Sequence, residues 1–110
     1  MTAFAAQATP AADGTVTVTA SGELDMITAP DLINVLRKAI HRHGPRVDLD
    51  LTGVTFMDST GLQVLVAANT DVGGGLRITG TSPAVYRLLR LTGVLEEFGL
   101  PSARSDEIAT

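Results

Sequence analysis

Apolar residues along the chain alternate between the spacing of strands and the spacing of helices. Residues 16–20 place valine or alanine at every second position, between threonines, which is typical of a half-buried strand. The turn sequence ADG at 12–14 precedes this segment and predicts a hairpin, with residues 4–8 as a weak partner strand. The same alternation at 47–51, and the apolar residues that begin at Leu76, predict two further strands.

The segment from Thr28 to Pro45 has the spacing of an amphipathic helix. Thr28 is expected to be its N-cap, with Asp31 three residues later in an arrangement like a capping box. Gly44 is expected to end the helix, after a run of basic residues that complements the negative end of the helix dipole. One stripe of this helix is expected to face the core, formed by Ala29, Leu32, Ile33, Leu36 and Ile40.

Two further helices are predicted in the second half of the chain. Apolar residues at 62–66 mark the first of them, and the glycines at 73–75 mark its end. Ser82 is expected to cap the second, with a proline at its first helical position, and Gly93 is expected to end it. Each of these helices follows a predicted strand.

Strands that alternate with helices after an opening hairpin predict an α/β fold. The chain of 110 residues has the size of one ordinary domain, so we expect a single domain over residues 1–110. The sheet is expected to be mixed and mainly parallel, with four to five strands, and three to four helices are expected to pack against it. A short extended piece at 98–100 and a few helical residues at 105–110 complete the expected elements.

Composition restricts the classes of function. Hydrophobic residues make up 45% of the chain and charged residues 18%, which is the composition of a globular protein. The formal net charge of −4, with eight Lys and Arg scattered among twelve acidic residues, argues against direct binding of nucleic acid. The sequence has no cysteine, no secretion signal and no apolar run long enough for a membrane span, so we expect a protein of the cytoplasm.

Polar residues gather where the predicted strands lead into helices. If the strands are parallel, these connections emerge along one edge of the sheet, where open α/β sheets commonly place their sites. Short polar side chains next to helix starts are concentrated there, namely Asp25, Thr28, Asp58, Ser59, Thr60, Thr81 and Ser82.

Known catalytic patterns fit this sequence poorly. The motif DLDLT at 48–52 matches the D-x-D-x-T pattern of aspartyl-phosphate hydrolases, but Asp48 and Asp50 alternate with apolar residues and are explained as the polar face of a strand. His41 and His43 lie two positions apart, so they do not share a helical face as a pair of metal ligands would. The serine of TFMDSTGLQVLV does not stand in a nucleophile elbow. We therefore expect a protein that is not an enzyme and holds no cofactor.

Ser59 allows a structural and a regulatory interpretation. A serine before TGLQVLV is a good N-cap, worth about 1 kcal/mol to a helix. The same position suits phosphorylation, because the amides and dipole at a helix N-terminus stabilise the added charge of about −1.5 to −2. Next to Asp58 and near Asp25, that charge would alter the edge and oppose binding to an acidic partner surface.

Three segments together resemble the STAS-domain anti-sigma factor antagonists of bacteria over nearly the full chain: GELDMITAPDL, VDLDLTGVTFMDSTGLQVLV and GTSPAVYRLLRLTGVLEEF. The resemblance implies a small STAS-like domain that, when unphosphorylated, binds an anti-sigma factor serine kinase and so frees a sigma factor. It also implies that the kinase, using its own ATP and Mg²⁺, phosphorylates Ser59 and ends the interaction, and that a PP2C-type phosphatase restores it. Asp25 and Asp58 then belong to the partner-binding face of the family, and the residues expected to contact the partner are Asp25, Met57, Asp58, Ser59 and Thr60.

Residues around this serine have alternative roles. Asp25 either contacts the partner or caps a turn, and Met57 is either an exposed apolar anchor or part of the core. Phe56 is expected in the core, as large aromatic residues usually are. Thr60 is a second possible phosphate acceptor, although its place inside the first helical turn makes its hydroxyl less accessible. The end of the second helix, AANTDVGGG at 67–75, is about one turn shorter than in the family and lacks its basic residues.

Two other functions are consistent with the same residues. One is a STAS subunit of a transport ATPase complex for lipid or solute traffic, in which Ser59 is only structural. The other is a module that binds a nucleotide or a lipid at the polar edge, although this edge is expected to lack an aromatic residue for base stacking.

Overall fold

The computed structural model describes residues 4–73 and 75–100. Strands and helices alternate after an opening hairpin, which confirms the predicted α/β fold. The strands are β1 (Ala5–Pro10), β2 (Val16–Leu24), β3 (Val47–Met57) and β4 (Leu76–Thr81). The helices are α1 (Ala29–His43), α2 (Ser59–Asp71) and α3 (Pro83–Leu91), followed by a short 3-10 helix (Glu96–Phe98).

The four strands form one sheet in the order β1-β2-β3-β4. Strand β1 is antiparallel to β2, while β2, β3 and β4 are parallel to one another. The predicted hairpin and the mixed, mainly parallel sheet are therefore confirmed. Because the three parallel strands run in the same direction, their carboxyl ends point to one edge of the sheet. Strands β2 and β3 end there together at Leu24 and Met57, whereas β4 ends at Thr81 beside Leu51, six residues before the end of β3.

One face of the sheet carries the core. The strand register aligns apolar residues in rows across β2, β3 and β4, and the row of Val18, Leu49 and Ile78 is buried. The alternate positions are polar, and Asp48 and Arg77 stand there side by side, both at least partly exposed. Helix α1 packs on β1 and β2, α2 packs on β3, and α3 packs on β3 and β4. The sheet thus has one apolar face and one polar face that water reaches.

Strand β3 is longer than the sequence pattern indicates. The predicted strand ends at Leu51, whereas the observed strand continues to Met57. Its pairing with β2 shifts register twice beyond Thr19, and at each shift β3 carries one extra residue, as in a β-bulge. These irregularities bury Leu51, Val54 and Met57 at a spacing of three, which the two-residue period of a regular strand does not reveal.

The helix ends agree with the sequence at some positions and differ at others. Ser82 caps α3 as predicted, because its hydroxyl accepts a hydrogen bond from the amide of Val85 at 3.4 Å. Gly44 follows α1 with a φ of 94°, which confirms the predicted end of that helix. Thr28 stands at the N-cap position of α1 as predicted, but the expected capping box does not form, because the Thr28 hydroxyl bonds within the preceding loop and makes no cap bond to the helix.

The segment after α3 also differs from the prediction. Residues 98–100 were expected to be extended, but Phe98 is the last residue of a 3-10 helix, and Gly99 follows it with a φ of 77°. This tight turn allows the Phe98 side chain to enter the core, where it is one of the largest fully buried side chains. The helical residues predicted at 105–110 lie outside the described part of the chain.

Candidate functional site

Two of the three strand-to-helix connections meet at the carboxyl ends of β2 and β3, because Leu24 pairs with Met57. The third lies apart, since Thr81 pairs with Leu51, six residues before the end of β3, and the prediction that Thr81 and Ser82 are grouped with Asp25 and Asp58 is therefore wrong. Residues 25–28 join β2 to α1, Asp58 alone joins β3 to α2, and Ser82 alone joins β4 to α3. The amide of Asp58 donates a hydrogen bond to the carbonyl oxygen of Leu24 at 3.2 Å, which ties the second connection to the end of β2. The structure therefore brings Asp25 and the Asp58–Ser59 turn to the ends of neighbouring strands, as the sequence analysis expects.

Asp58, and not Ser59, caps helix α2. Its Oδ1 accepts a hydrogen bond from the amide of Gly61 at 3.1 Å, and its backbone is extended, as an N-cap requires. Ser59 is the first residue of the helix, its side chain is exposed, and its hydroxyl makes no hydrogen bond to any other described residue. The capping role predicted for Ser59 is therefore wrong, and its hydroxyl is accessible at the first turn.

The first turn of α2 packs directly on the strand ends. Gly61 is buried, and a Cβ atom at this position would lie 2.9 Å from Cγ of Leu24 and 2.9 Å from Cγ of Met57. It would also lie 3.1 Å from the carbonyl oxygen of Leu24. Because a side chain does not fit here without movement, glycine allows the helix to approach β2 and β3 closely, which fixes the position of Ser59 relative to the neighbouring loop.

The loop at 25–28 is held by hydrogen bonds within itself. Asp25 Oδ1 accepts hydrogen bonds from the amides of Ile27 and Thr28, at 2.9 and 3.1 Å. The Thr28 hydroxyl accepts a hydrogen bond from the amide of Asp25 at 2.9 Å and donates one to the carbonyl oxygen of Glu23 at 2.8 Å. Asp25 therefore caps a turn, which is one of the two roles that the sequence leaves open, and its contact with a partner stays a prediction.

Large apolar side chains are exposed beside these polar groups. Met26 and Ile27 are 71% and 81% exposed, and Phe56, which pairs with Glu23 across the two strands, is 48% exposed. The predictions that Phe56 lies in the core and that the edge lacks an aromatic residue are wrong. Met57 is only 7% exposed, so it does not form the exposed anchor considered for it. The exposure of Phe56 and the burial of Met57 follow from the extension of β3 to Met57, since successive side chains of a strand point to opposite faces.

Sequence reasoning overlooks Met26 and Ile27. The signal is present in GELDMITAP, where the two apolar residues stand between a strand end and a helix start, outside both periodic patterns. Large apolar residues in such a connection have no core to face, and grouped exposed apolar side chains mark interaction surfaces.

Thr60 lies next to Ser59 in sequence but lines a different surface. With Ile33, Val64 and Ala67 it borders a groove of about 220 Å³ between α1 and α2. Its side chain is partly buried, whereas that of Ser59 is exposed. Thr60 is therefore less accessible to a modifying enzyme than Ser59, in line with the sequence analysis.

The aspartates of the DLDLT motif lie within the sheet and not at its edge. Asp48 and Asp50 lie near the start of β3, whose carboxyl end is at Met57. Oδ1 of Asp50 accepts hydrogen bonds from the Thr52 hydroxyl at 2.6 Å and from the Thr52 amide at 2.9 Å, and these bonds lower the pKa of the Asp50 carboxyl. The two aspartates thus form part of the polar face of a strand, as predicted.

Within residues 4–73 and 75–100, no three acidic or histidine side chains are grouped so that they could hold a metal ion. In the same part of the chain, no helix has both the length and the apolar character needed to cross a bilayer.

The mixed sheet, the three helices on its apolar face and the serine at the start of α2 define the class of this protein. The chain belongs to the STAS domain family: the family model described as "Mlab, STAS domain" matches residues 8–100. The family resemblance seen in the sequence is thereby confirmed.

Several relatives are named as anti-sigma factor antagonists. The chain is 36% identical over 77 residues to the anti-sigma-B factor antagonist of Listeria monocytogenes, covering 67% of this chain and 68% of that protein. It is 33% identical to the anti-sigma-B factor antagonist of Bacillus subtilis, covering 83% of this chain and 84% of that protein. The crystal structure of an anti-sigma factor antagonist from Mycobacterium paratuberculosis matches with a TM-score of 0.80 at 30% identity, covering 97% of this chain and 92% of that one.

Proposed function

We propose that this protein is an anti-sigma factor antagonist that is switched at Ser59. Unphosphorylated, it binds an anti-sigma factor serine kinase in the cytoplasm through the carboxyl edge of its sheet, and the kinase then frees a sigma factor. The kinase, which holds the ATP and Mg²⁺, transfers a phosphoryl group to Ser59 and so ends the binding. A PP2C-type phosphatase removes this group. The protein itself acts by binding and carries out no catalysis.

The observation that carries this proposal is the division of roles between Asp58 and Ser59. Asp58 supplies the cap to Gly61, while the Ser59 hydroxyl is exposed and free of hydrogen bonds to the other described residues. Phosphorylation of Ser59 therefore leaves the cap bond intact. The first-turn amides and the helix dipole favour an added dianion at this position. The folded state is expected to tolerate the modification.

Release is expected to result from repulsion at the kinase nucleotide. For transfer to occur, the Ser59 hydroxyl must lie against the γ-phosphate of the bound ATP, approximately in line with the bond that breaks. After transfer, a group with about −1.5 to −2 charges faces the phosphates of ADP. Like charges brought together across an interface cost several kcal/mol, so the complex is weakened while the fold is not.

The phosphorylation site can be tested by mass spectrometry. The wild-type protein, Ser59→Ala and Thr60→Ala are each incubated with the anti-sigma factor kinase of the source bacterium, ATP and Mg²⁺, and intact masses are recorded. We expect one phosphoryl group on the wild type and on Thr60→Ala, and none on Ser59→Ala. Equal phosphorylation of Ser59→Ala would reject the site.

The release mechanism can be tested with a matched pair of variants. Ser59→Asp and Ser59→Asn have nearly the same shape and differ in charge. We expect Ser59→Asp to bind the ADP-loaded kinase at least about tenfold more weakly than Ser59→Asn, a difference of about 1.4 kcal/mol. Equal affinities in calorimetry would refute repulsion as the cause of release.

Affinity capture from the source cells distinguishes the alternative functions. Recovery of a kinase with a sigma factor pathway supports the proposal, whereas recovery of a transport ATPase and its permease would contradict it. Direct binding of a nucleotide or a lipid to the purified protein would favour a ligand-binding module instead.

A further inference from the structure

We infer that Met26 and Ile27 form the principal anchor for the protein partner, and that this partner offers an apolar pocket with a basic rim. Met26 and Ile27 together form an apolar knob. The inference rests on the proposed function, since it specifies how the partner is recognised at the same edge. It also assigns Asp25 a positioning role, in which the carboxylate shapes the knob and does not itself supply the main contact.

The apolar knob is the most exposed apolar feature at this edge. Among the described residues, four large hydrophobic side chains are exposed, and three of them, Met26, Ile27 and Phe56, lie at the β2 and β3 ends. Ile27 at 81% and Met26 at 71% leave most of their area in water. Interfaces are enriched in methionine and aromatic residues, and a few buried side chains carry most of the binding energy. Burial by a partner would remove this area from water.

The loop that carries the apolar knob is ordered before any partner binds. Asp25 Oδ1 binds the amides of Ile27 and Thr28, and the Thr28 hydroxyl bridges the Asp25 amide and the Glu23 carbonyl oxygen. A loop held in this way loses little conformational freedom on binding, which favours affinity. Because Oδ1 of Asp25 already accepts hydrogen bonds from the two loop amides, the main role of this side chain is to hold the loop in shape.

The charge around the apolar knob selects the kind of partner. The segments that carry and border the knob, residues 21–28 and 56–62, contain no Lys, Arg or His and include three acidic residues, Glu23, Asp25 and Asp58. These three residues stand at or next to the ends of β2 and β3. A basic rim around an apolar pocket complements this arrangement, whereas the acidic partner surface expected from the sequence would be repelled even before Ser59 is phosphorylated. An anionic membrane surface would instead repel it, so a protein pocket is the favoured occupant.

Matched substitutions test whether binding depends on the apolar character of Met26 and Ile27 or only on their size. Met26→Gln and Ile27→Asn replace each side chain by a polar one of similar size, while Met26→Leu and Ile27→Leu keep it apolar. We expect each polar variant to weaken binding to the cognate kinase about tenfold or more, and each Leu variant to change it less than about threefold. Because both positions are exposed, the unfolding midpoints of all four variants should stay close to that of the wild type.

Kinetics and salt dependence provide the second readout. In Ser59 phosphorylation the polar variants should raise KM with little change in kcat, since they remove binding and leave the reacting groups in place. Asp25→Asn, whose Oδ1 still accepts the loop hydrogen bonds, should keep most of the affinity, whereas Asp25→Ala should lose about tenfold. Wild-type affinity should fall as salt is raised, as expected for an acidic surface on a basic rim.

Each outcome has a definite meaning. If the wild-type protein neither binds nor is phosphorylated by the kinase, the proposed function fails and the inference fails with it. If the wild type binds but the polar variants bind equally well, the anchor is refuted and the proposed function stands. Equal losses for Asp25→Asn and Asp25→Ala would refute the positioning role. Co-sedimentation of the wild type, but not of Met26→Gln or Ile27→Asn, with anionic phospholipid vesicles would identify a membrane as the occupant and overturn the inference.

Discussion

The amide of Asp58 lies 3.2 Å from the carbonyl oxygen of Leu24 and donates a hydrogen bond to it. This bond joins the turn before α2 to the end of β2, immediately before the loop that carries the apolar knob. The exposed hydroxyl of Ser59 and the exposed residues Met26 and Ile27 therefore belong to one edge. In the proposed function, a partner that docks on the loop would be held at a fixed position relative to the serine, as phosphoryl transfer requires.

Asp58 is expected to carry the stability that an N-cap provides. Asp58→Ala should lower the free energy of unfolding by about 1 kcal/mol, while Asp58→Asn should retain most of it, because asparagine caps equally well. Ser59→Ala should change it by less than about 0.5 kcal/mol. Urea denaturation of the three variants measures these values. A loss for Ser59→Ala as large as that for Asp58→Ala would contradict the cap assignment.

Gly61→Ala should destabilise the protein although alanine is the better helix former. Alanine gains up to about 1 kcal/mol in helix propensity. The new Cβ, however, would meet the Leu24 and Met57 side chains at 2.9 Å, and such crowding costs about 1–3 kcal/mol. We therefore expect a net loss of about 1 kcal/mol in denaturant unfolding. Gln63→Ala, at an exposed position of the same helix, is the control and should be near neutral. A gain in stability for Gly61→Ala would show that the start of α2 does not pack so closely on Leu24 and Met57.

The 3-10 helix after α3 is expected to be an integral part of the core. Phe98 is fully buried, so Phe98→Ala should cost about 3–5 kcal/mol, and the milder Phe98→Leu should cost less. Leu91, at the end of α3, is 73% exposed, and Leu91→Ala should change stability by less than about 0.5 kcal/mol. Thermal or urea unfolding measures all three. Similar small losses for Phe98 and Leu91 variants would mean that the terminal segment does not stabilise the domain.

The hydrogen bonds from Thr52 to Asp50 predict a pH dependence of stability. They hold the pKa of Asp50 below its ordinary value in the folded state, so the ionised form favours folding. This contribution is present above the unfolded pKa and is lost as the pH falls through the lower folded pKa. Thr52→Val removes the hydroxyl bond and should cost about 0.5–1 kcal/mol at pH 7. The difference between wild type and variant should shrink as the pH is lowered from about 5. A difference that is constant with pH would contradict the role assigned to Thr52.

Patterns within short segments allowed several predictions to succeed. The alternation at 16–20 and the glycine and proline signals at Gly44 and Ser82–Pro83 depend on the backbone preferences of nearby residues, and the structure confirms them. The polar residues at strand ends follow from the rule that parallel strands end at one edge, so the position of Ser59 beside Asp25 could also be anticipated.

Other predictions failed where two distant segments decide the local structure. Strand β3 continues past Leu51 because it pairs with β2, and its two bulges exist only in that pairing. The exposure of Phe56 and the burial of Met57 both follow from this extension. Thr28 is the N-cap residue of α1 as expected, but its hydroxyl bonds to the Asp25 amide and the Glu23 carbonyl oxygen and not to the helix.

The sequence by itself determined the order of strands and helices, the family, and the presence of a serine at the start of α2. These properties are encoded in residue spacing and in short motifs. Only the tertiary structure decided that Asp58 and not Ser59 caps the helix, and that Met26 and Ile27 are presented to solvent. The physical reason is that the neighbours supplied by the folded chain decide which hydrogen bonds form and which apolar side chains are buried. The neighbours here are Leu24, Gly61 and the loop amides, and the pairing of β2 with β3 positions them.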